Sequence, residues 1–114
     1  MKLAIVGSRG LTVEDLTPYL PSEVTEIVSG GARGIDQCAA SCAREQGLIL
    51  TEFKPDYRRY GRGAPLKRNE EIVAYADFVL IFWDGSSHGT QFVIEACQRL
   101  EKPHRVIILA SLSP

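Results

Sequence analysis

The chain has few of the residues that mark specialised protein classes. Of its 114 residues only three are cysteines, Cys38, Cys42 and Cys97. Their number is odd and no CxxC or Cys/His spacing is present, so the pattern favours neither a disulfide framework nor a metal site. We expect all three to be reduced residues of the hydrophobic core. No metal and no bound cofactor are predicted.

Long hydrophobic runs are also missing, and no leader segment is expected. No apolar stretch approaches the roughly 20 residues that a membrane-spanning helix needs, so no membrane association is predicted. Met1 and Lys2 lead directly into a strand-like segment, without the apolar region of a signal peptide. A cytoplasmic protein is therefore the simplest expectation.

The chain has no excess of either charge. Thirteen lysines and arginines against 14 acidic residues give a formal net charge of −1. This balance disfavours a dedicated nucleic-acid binder, because such domains are usually strongly basic. The charges are unevenly spread, since residues 54–68 contain six basic side chains and Asp56 as the single acid. Two interpretations of this segment stay open, a solvated basic loop and an anion-attracting rim.

What the chain does have is a regular alternation of strand-like and helix-like segments. Apolar runs predict five strands, at residues 2–7, 26–29, 48–53, 78–83 and 105–110. Amphipathic spacing predicts long helices at about 34–46, 65–76 and 90–101, and Thr12 with Asp15 predicts a short helix before Pro18. Residues 54–64 are predicted to be an irregular loop. The alternation predicts an α/β fold, a single Rossmann-like doubly wound domain over residues 1–114 with helices on both faces of a parallel sheet.

Glycine placement gives the strongest functional signal. Nine of the ten glycines follow predicted strands, in loops at residues 7–10 (GSRG), 29–36 (SGGARGID), 59–64 (RYGRGA) and 84–90 (DGSSHGT). Three of these loops lead into a helix, whose unpaired N–H groups and partial positive charge attract anions. In doubly wound sheets, ligands bind at the carboxyl edge where such loops meet. The sequence therefore predicts a site for a phosphate-bearing small molecule, and the alternative is that the loops are only turns.

The candidate ligand-binding residues come from these loops and from one neighbouring helix. Backbone N–H groups would form the floor of the site, Arg33 and Arg9 would bind phosphate, and the amide of Asn69 would contact either a loop backbone or the ligand. GSRG lacks the second glycine of the G-x-G-x-x-G fingerprint, which disfavours a standard NAD site. No catalytic residue is assigned. The candidates are Gly7, Ser8, Arg9, Gly30, Gly31, Arg33, Gly34, Arg68, Asn69, Asp84, Gly85, Gly89 and Thr90.

The ordered motifs resemble those of a known superfamily. GSRG, SGGARGID, PDYRRYG (55–61), Arg68–Asn69 and ADFVLIFWDGSSHGT (76–90) are similar to the SLOG superfamily, in particular its small YspA- or YpsA-related branch. The resemblance extends from Lys2 to about Ala110. It implies a Rossmann-like domain that binds a nucleotide or nucleotide-derived ligand, as a sensor or as a nucleotide-processing enzyme. Small domains of this kind often associate, so a homo-oligomer is an open alternative.

Two relatives within that resemblance imply alternative functions. The LOG-type phosphoribohydrolases cleave the base from a nucleoside monophosphate, with a PGGxGTxxE motif and an arginine on the preceding helix. Residues 89–90 match the GT and Arg68 is similar to the arginine, but Val93 occupies the glutamate position and Glu95 is predicted on the solvent face. The DNA-processing protein A family binds single-stranded DNA, a function that would use the basic residues 54–68.

Overall fold

The computed structural model describes residues 1–109, so Ala110, the predicted end of the fifth strand, lies outside the described residues. Its centre is a five-stranded sheet formed by β1 (Lys2–Gly7), β2 (Glu26–Ser29), β3 (Ile49–Glu52), β4 (Phe78–Trp83) and β5 (His104–Ile108). The strands pair in the order β3-β2-β1-β4-β5, and every pairing is parallel. This is the predicted Rossmann-like doubly wound fold, which is confirmed.

Within the described residues, four α-helices connect or cover the strands, namely α1 (Ile35–Gln46), the single turn α2 (Tyr57–Tyr60), α3 (Ala64–Tyr75) and α4 (His88–Arg99). Successive side chains of a strand point to opposite faces, so Leu3 and Ile5 of β1 pack with α1, while Ala4 and Val6 pack with α3 and α4. Both faces of the sheet are thus covered, as its continuous apolar strands predict. No helix within residues 1–109 is long and apolar enough to cross a membrane.

Two segments differ from the sequence prediction. The short helix predicted from Thr12 does not form, and only a 3₁₀ turn at Thr17–Tyr19 is present. Asp15 Oδ1 accepts the Thr17 N–H at 2.9 Å, a local side-chain bond that competes with helix formation. The loop predicted at residues 54–64 contains α2, because Asp56 caps it by accepting the Arg59 N–H at 3.2 Å.

The cysteines are free thiols, as predicted. Cys42 and Cys97 are buried in the packing of α1 and α4 against the sheet, and Cys38 is half-buried. Burial raises the pKa of the Cys97 thiol to about 11. At neutral pH this thiol is therefore protonated and packs as a small apolar residue.

Candidate functional site

A cavity of about 410 Å³ opens beyond the carboxyl ends of β1, β2 and β4. The chain runs outward from β1 to β3 and then returns to β4 on the other side of β1, so the topological switch point lies between β1 and β4. Open α/β sheets bind ligands in the crevice at this point. The volume falls within the range of about 300–1,000 Å³ that is typical of small-molecule sites.

The structure brings most of the sequence-predicted site residues to this cavity. Nine of them line it, namely Gly7, Ser8, Arg9, Gly30, Arg68, Asn69, Asp84, Gly89 and Thr90. The remaining four, Gly31, Arg33, Gly34 and Gly85, are not among the lining residues. The four glycine- and polar-rich loops thus do not contribute equally to the cavity.

The N-terminus of α1 is partly covered by the loop that follows β1. A Cβ added to Gly34 would lie 2.5 Å from the carbonyl oxygen of Arg9 and 2.7 Å from that of Leu11. Arg33, just before it, is exposed. The phosphate-binding role of Arg33 stays a prediction, since its side chain lies outside the wall of the cavity.

Arg68 is the buried cation of the site. It comes from α3, and only 8% of its surface is exposed. Its Nη1 donates to the carbonyl oxygens of Gly30 at 2.7 Å and Phe53 at 3.2 Å, and its Nε donates to Asn69 Oδ1 at 2.8 Å. These bonds fix the loops after β2 and β3 to α3. Asn69 therefore holds Arg68 rather than a loop backbone.

The charge of Arg68 is not neutralised by an ion pair. Both ion pairs found within residues 1–109 involve Glu70 instead. Burial lowers the pKa of Arg68, and the nearby carboxyl of Asp36 opposes that effect. An arginine remains protonated under all physiological conditions. The cavity therefore contains a fixed, largely desolvated positive charge.

The N-terminus of α4 faces the cavity without a side-chain cap. Ser87 occupies the N-cap position but makes no capping hydrogen bond. Its Oγ instead lies 2.7 Å from Ser8 Oγ, which is also 3.3 Å from Thr90 Oγ1. The first backbone bond of the helix runs from the Gln91 N–H to the Ser87 carbonyl at 3.2 Å. The N–H groups of the preceding residues therefore have no partner within the helix.

The loop before α4 is held in place by its own polar groups. Asp84 Oδ1 accepts the N–H groups of Ser86 at 2.9 Å and Ser87 at 2.8 Å, and Trp83 Nε1 donates to the Ser87 carbonyl at 3.0 Å. The bonds from the Ser86 and Ser87 amides lower the pKa of Asp84. The α4 N-terminus is thus presented to the cavity by a preorganised turn.

Asp36 is a cavity residue that the sequence analysis did not select. It lies in the first turn of α1, is 8% exposed, and its Oδ2 accepts the Ala32 N–H at 3.0 Å. Burial raises the pKa of its carboxyl, and the Ala32 amide and the charge of Arg68 oppose this. The available signal was an acidic residue inside SGGARGID, which is also what an ordinary helix N-terminus contains.

The basic segment forms the outer surface beside this site. Arg58 and Arg59 of α2 are exposed, and the Arg59 guanidinium lies 5.2 Å from the ring centre of Tyr60. Tyr57 is 60% exposed. Of the cavity residues themselves, Arg9 is exposed and adds a second positive charge.

Val93, at the glutamate position of the LOG-type motif, and the nearby Glu95 differ in solvent exposure. Val93 is buried and lines the cavity, whereas Glu95 is exposed and is not a lining residue. The carboxyl groups that do line it belong to Asp36 and Asp84. The helix therefore brings no glutamate to the place where the motif has one.

A second depression lies beside α1 and has a different chemical character. Its lining includes the carboxyl groups of Glu14, Asp15 and Glu45, and it contains no lysine or arginine. Such a surface repels phosphate, so the cavity at the switch point is the better candidate for an anionic ligand.

Fold and site together define a small Rossmann-like domain with a cavity at its topological switch point that is lined by two arginines and two aspartates. Comparisons of the chain with protein-family models, with curated proteins and with solved structures find no match.

Proposed function

We propose that the domain binds a nucleotide or nucleotide-derived ligand in the switch-point cavity, with a phosphate at the N-terminus of α4. The observation that carries the proposal is the uncapped α4 N-terminus in the same cavity as Arg68. Helix N-termini bind phosphate through free N–H groups and the helix dipole. A buried guanidinium without a carboxylate partner adds a charge that an anion can neutralise.

The rest of the cavity suits an organic ligand better than an inorganic anion. Its lining includes the apolar side chains of Val6, Leu66, Ile72 and Val93 beside the polar groups. Small-molecule sites combine such apolar walls with a few fixed polar groups. A sugar and base would contact the apolar wall while the phosphate contacts α4. The resemblance to the SLOG superfamily supports the same class of ligand.

A thermal-shift panel of mono-, di- and cyclic nucleotides and ADP-ribose derivatives tests the proposal. A ligand that binds only the folded state stabilises it by about 2.7 kcal/mol at ~100 times its dissociation constant. For a domain of this size, the melting temperature should rise by several degrees, since ~1 kcal/mol shifts it by roughly 4–8 °C. At least one compound should stabilise the protein; if no phosphorylated compound does, the proposal is wrong.

Two arginine variants locate the phosphate in the same assay. Arg99→Ala, at the far end of α4, should respond to the ligand like the parent protein. Arg33→Ala should also retain most of the shift if the phosphate lies at α4. If Arg33→Ala alone abolishes the shift, the phosphate binds at the SGGARGID loop and the α4 placement is wrong.

A further inference from the structure

The cavity has two polar ends, and the proposed phosphate site uses only one of them. The α4 N-terminus follows β4, whereas Asp36 follows β2, and β1 lies between these strands. Neighbouring strands are about 4.8 Å apart, so the two ends are separated by roughly 10 Å. A ligand with its phosphate at α4 extends toward Asp36.

The Asp36 carboxyl has one oxygen engaged by the protein and one available to a ligand. Oδ2 accepts the Ala32 N–H, and the Ser29 hydroxyl lies near the carboxyl, but within residues 1–109 no hydrogen bond of ordinary distance and angle reaches Oδ1. No side-chain oxygen or nitrogen of the described residues is buried without a partner. Oδ1 therefore keeps solvent access, and the side chain to which it belongs lines the cavity.

The surroundings of Gly30 show that the Asp36 carboxyl and the Arg68 guanidinium lie close together. A Cβ added to Gly30 would lie 2.7 Å from Arg68 Nη1 and 3.0 Å from Asp36 Oδ2. Yet Arg68 and Asp36 form no ion pair, since the guanidinium donates to backbone carbonyls and Asn69. Burial raises the pKa of the Asp36 carboxyl, and the nearby positive charge of Arg68 opposes this without occupying the second oxygen.

We propose that Asp36 selects ligands that carry a sugar hydroxyl, by accepting a hydrogen bond from that hydroxyl at Oδ1. The inference rests on the proposed nucleotide site and adds a specificity-determining residue to it. An ionised acceptor forms a stronger hydrogen bond than a neutral one. A ligand without the hydroxyl leaves the carboxylate partly desolvated and unpaired, which costs affinity.

The experiment compares ribonucleoside 5′-monophosphates with their 2′-deoxy and 3′-deoxy counterparts, by calorimetric titration of the parent protein and of Asp36→Asn. In the variant, the amide oxygen can still accept the Ala32 N–H, while an NH₂ group replaces Oδ1 in the cavity. The parent should bind the ribonucleotide about tenfold or more tightly than one of the deoxy forms. In Asp36→Asn this preference should disappear, while affinity for the deoxy form changes little.

Asp15→Asn is the matched control, because Asp15 also accepts a backbone N–H but lies outside the cavity. It should keep the parent's preference. Equal binding of ribo and deoxy forms by the parent overturns the inference and leaves the nucleotide site standing. So does a preference that survives in Asp36→Asn, or an equal loss of all ligands in that variant. If the parent binds no nucleotide of the series or of the thermal-shift panel, the proposed function itself fails.

Discussion

At the scale of single residues, Gly30 shows why a glycine is needed at the end of β2. Its Cβ position is occupied by the Arg68 guanidinium, with Nη1 at 2.7 Å and Cζ at 2.9 Å. The guanidinium cannot move away cheaply, because it is buried and donates to the Gly30 and Phe53 carbonyls. The glycine is thus required by a side chain that approaches it and not by an unusual backbone angle.

Gly30→Ala should therefore destabilise the fold and weaken nucleotide binding. Forcing an extra methyl group into a packed site typically costs about 1–3 kcal/mol, which urea denaturation would measure. Gly63→Ala is the control, since its added Cβ meets no atom within 4 Å and its φ is −79°; it should change stability by no more than about 0.5 kcal/mol. Parent-like stability and binding in Gly30→Ala would show that Arg68 is not held as described.

The buried carboxyl of Asp36 predicts how the free energy of unfolding depends on pH. Burial raises its pKa above 3.8 in the folded state, so Asp36 favours folding most below pH 3.8. This contribution is lost as the pH rises through the folded-state pKa, because the folded state then no longer holds the extra proton. Asp36→Asn removes the titration. Its free energy of unfolding, relative to that of the parent, should increase with pH across this window.

Urea denaturation between mildly acidic and neutral pH measures that difference. Over this pH range Asp15→Asn should show no such increase, because hydrogen bonds from Thr17 lower the pKa of Asp15 in the folded state and confine its effect to pH values near and below 3.8. That group favours folding above its unfolded-state pKa and loses the contribution as the pH falls. If the Asp36→Asn difference is flat or decreases with pH, the carboxyl of Asp36 is not desolvated in solution.

Sequence reasoning could identify Arg68 but not how it acts. Its helical position placed it at the correct edge, and the structure puts it in the cavity wall. Its bonds to the Gly30 and Phe53 carbonyls join segments 38 and 15 residues away, and no local pattern encodes such distances. Asp36 was missed for the related reason that its burial and its proximity to Arg68 on α3, rather than its position in the sequence, make it unusual.

At the scale of elements, the apolar strands were the most predictable part of the chain. The bounds of β1, β2 and β4 match the prediction, because each is a short buried run that ends at, or just before, a polar or glycine residue. The differing segments, at Asp15 and at α2, depend on single hydrogen bonds of aspartate side chains. Aspartate can cap a helix or close a turn, and the sequence alone does not choose between them.

The N-termini of α1 and α4 differ in their accessibility from the cavity more than their sequences suggest. Both α1 and α4 follow glycine-containing loops, and the sequence analysis predicts Arg33, in the loop before α1, as a phosphate ligand. In the structure, carbonyl groups of the β1 loop lie against Gly34, whereas Gly89 and Thr90 of α4 line the cavity. Tertiary packing of one loop, rather than the motif itself, decides which N–H groups are accessible.

A negative charge added at each helix N-terminus in turn tests which of the two binds the phosphate. Gly89→Asp places a carboxylate in the first turn of α4, where a Cβ meets no atom within 4 Å. It should preserve or raise stability, since a charge there is worth about 0.3–1 kcal/mol through the helix dipole, yet it should weaken binding of nucleotides by repelling their phosphate. Thermal denaturation with and without ligand measures both effects.

Gln37→Glu is the counterpart in the first turn of α1, at an exposed position. It should stabilise the protein similarly and leave nucleotide binding nearly unchanged. The reverse result, in which Gln37→Glu weakens binding and Gly89→Asp does not, would place the phosphate at α1.

At the scale of the whole molecule, the distribution of charged side chains over the surface is more informative than the net charge. The net charge is −1, but the exposed Arg58 and Arg59 of α2 follow β3 at the carboxyl edge of the sheet, while the depression beside α1 is acidic. This distribution draws anions toward the carboxyl edge of the sheet. It favours a small phosphorylated ligand, because a nucleic acid would need a longer basic track than one helical turn supplies.

We accordingly expect only weak binding of single-stranded DNA. A fluorescently labelled oligonucleotide should bind through α2 at low salt and dissociate near physiological salt, since each phosphate contact releases counterions. The slope of log affinity against log salt is about −0.7 per contact for single strands, so contacts to Arg58 and Arg59 predict roughly −1.4. Arg58→Ala should make the slope shallower by about 0.7, whereas Arg44→Ala, exposed at the end of α1, should not change it. Binding near ~10⁻⁸ M that persists at physiological salt, as in specific complexes, would instead favour nucleic acid as the ligand of this surface.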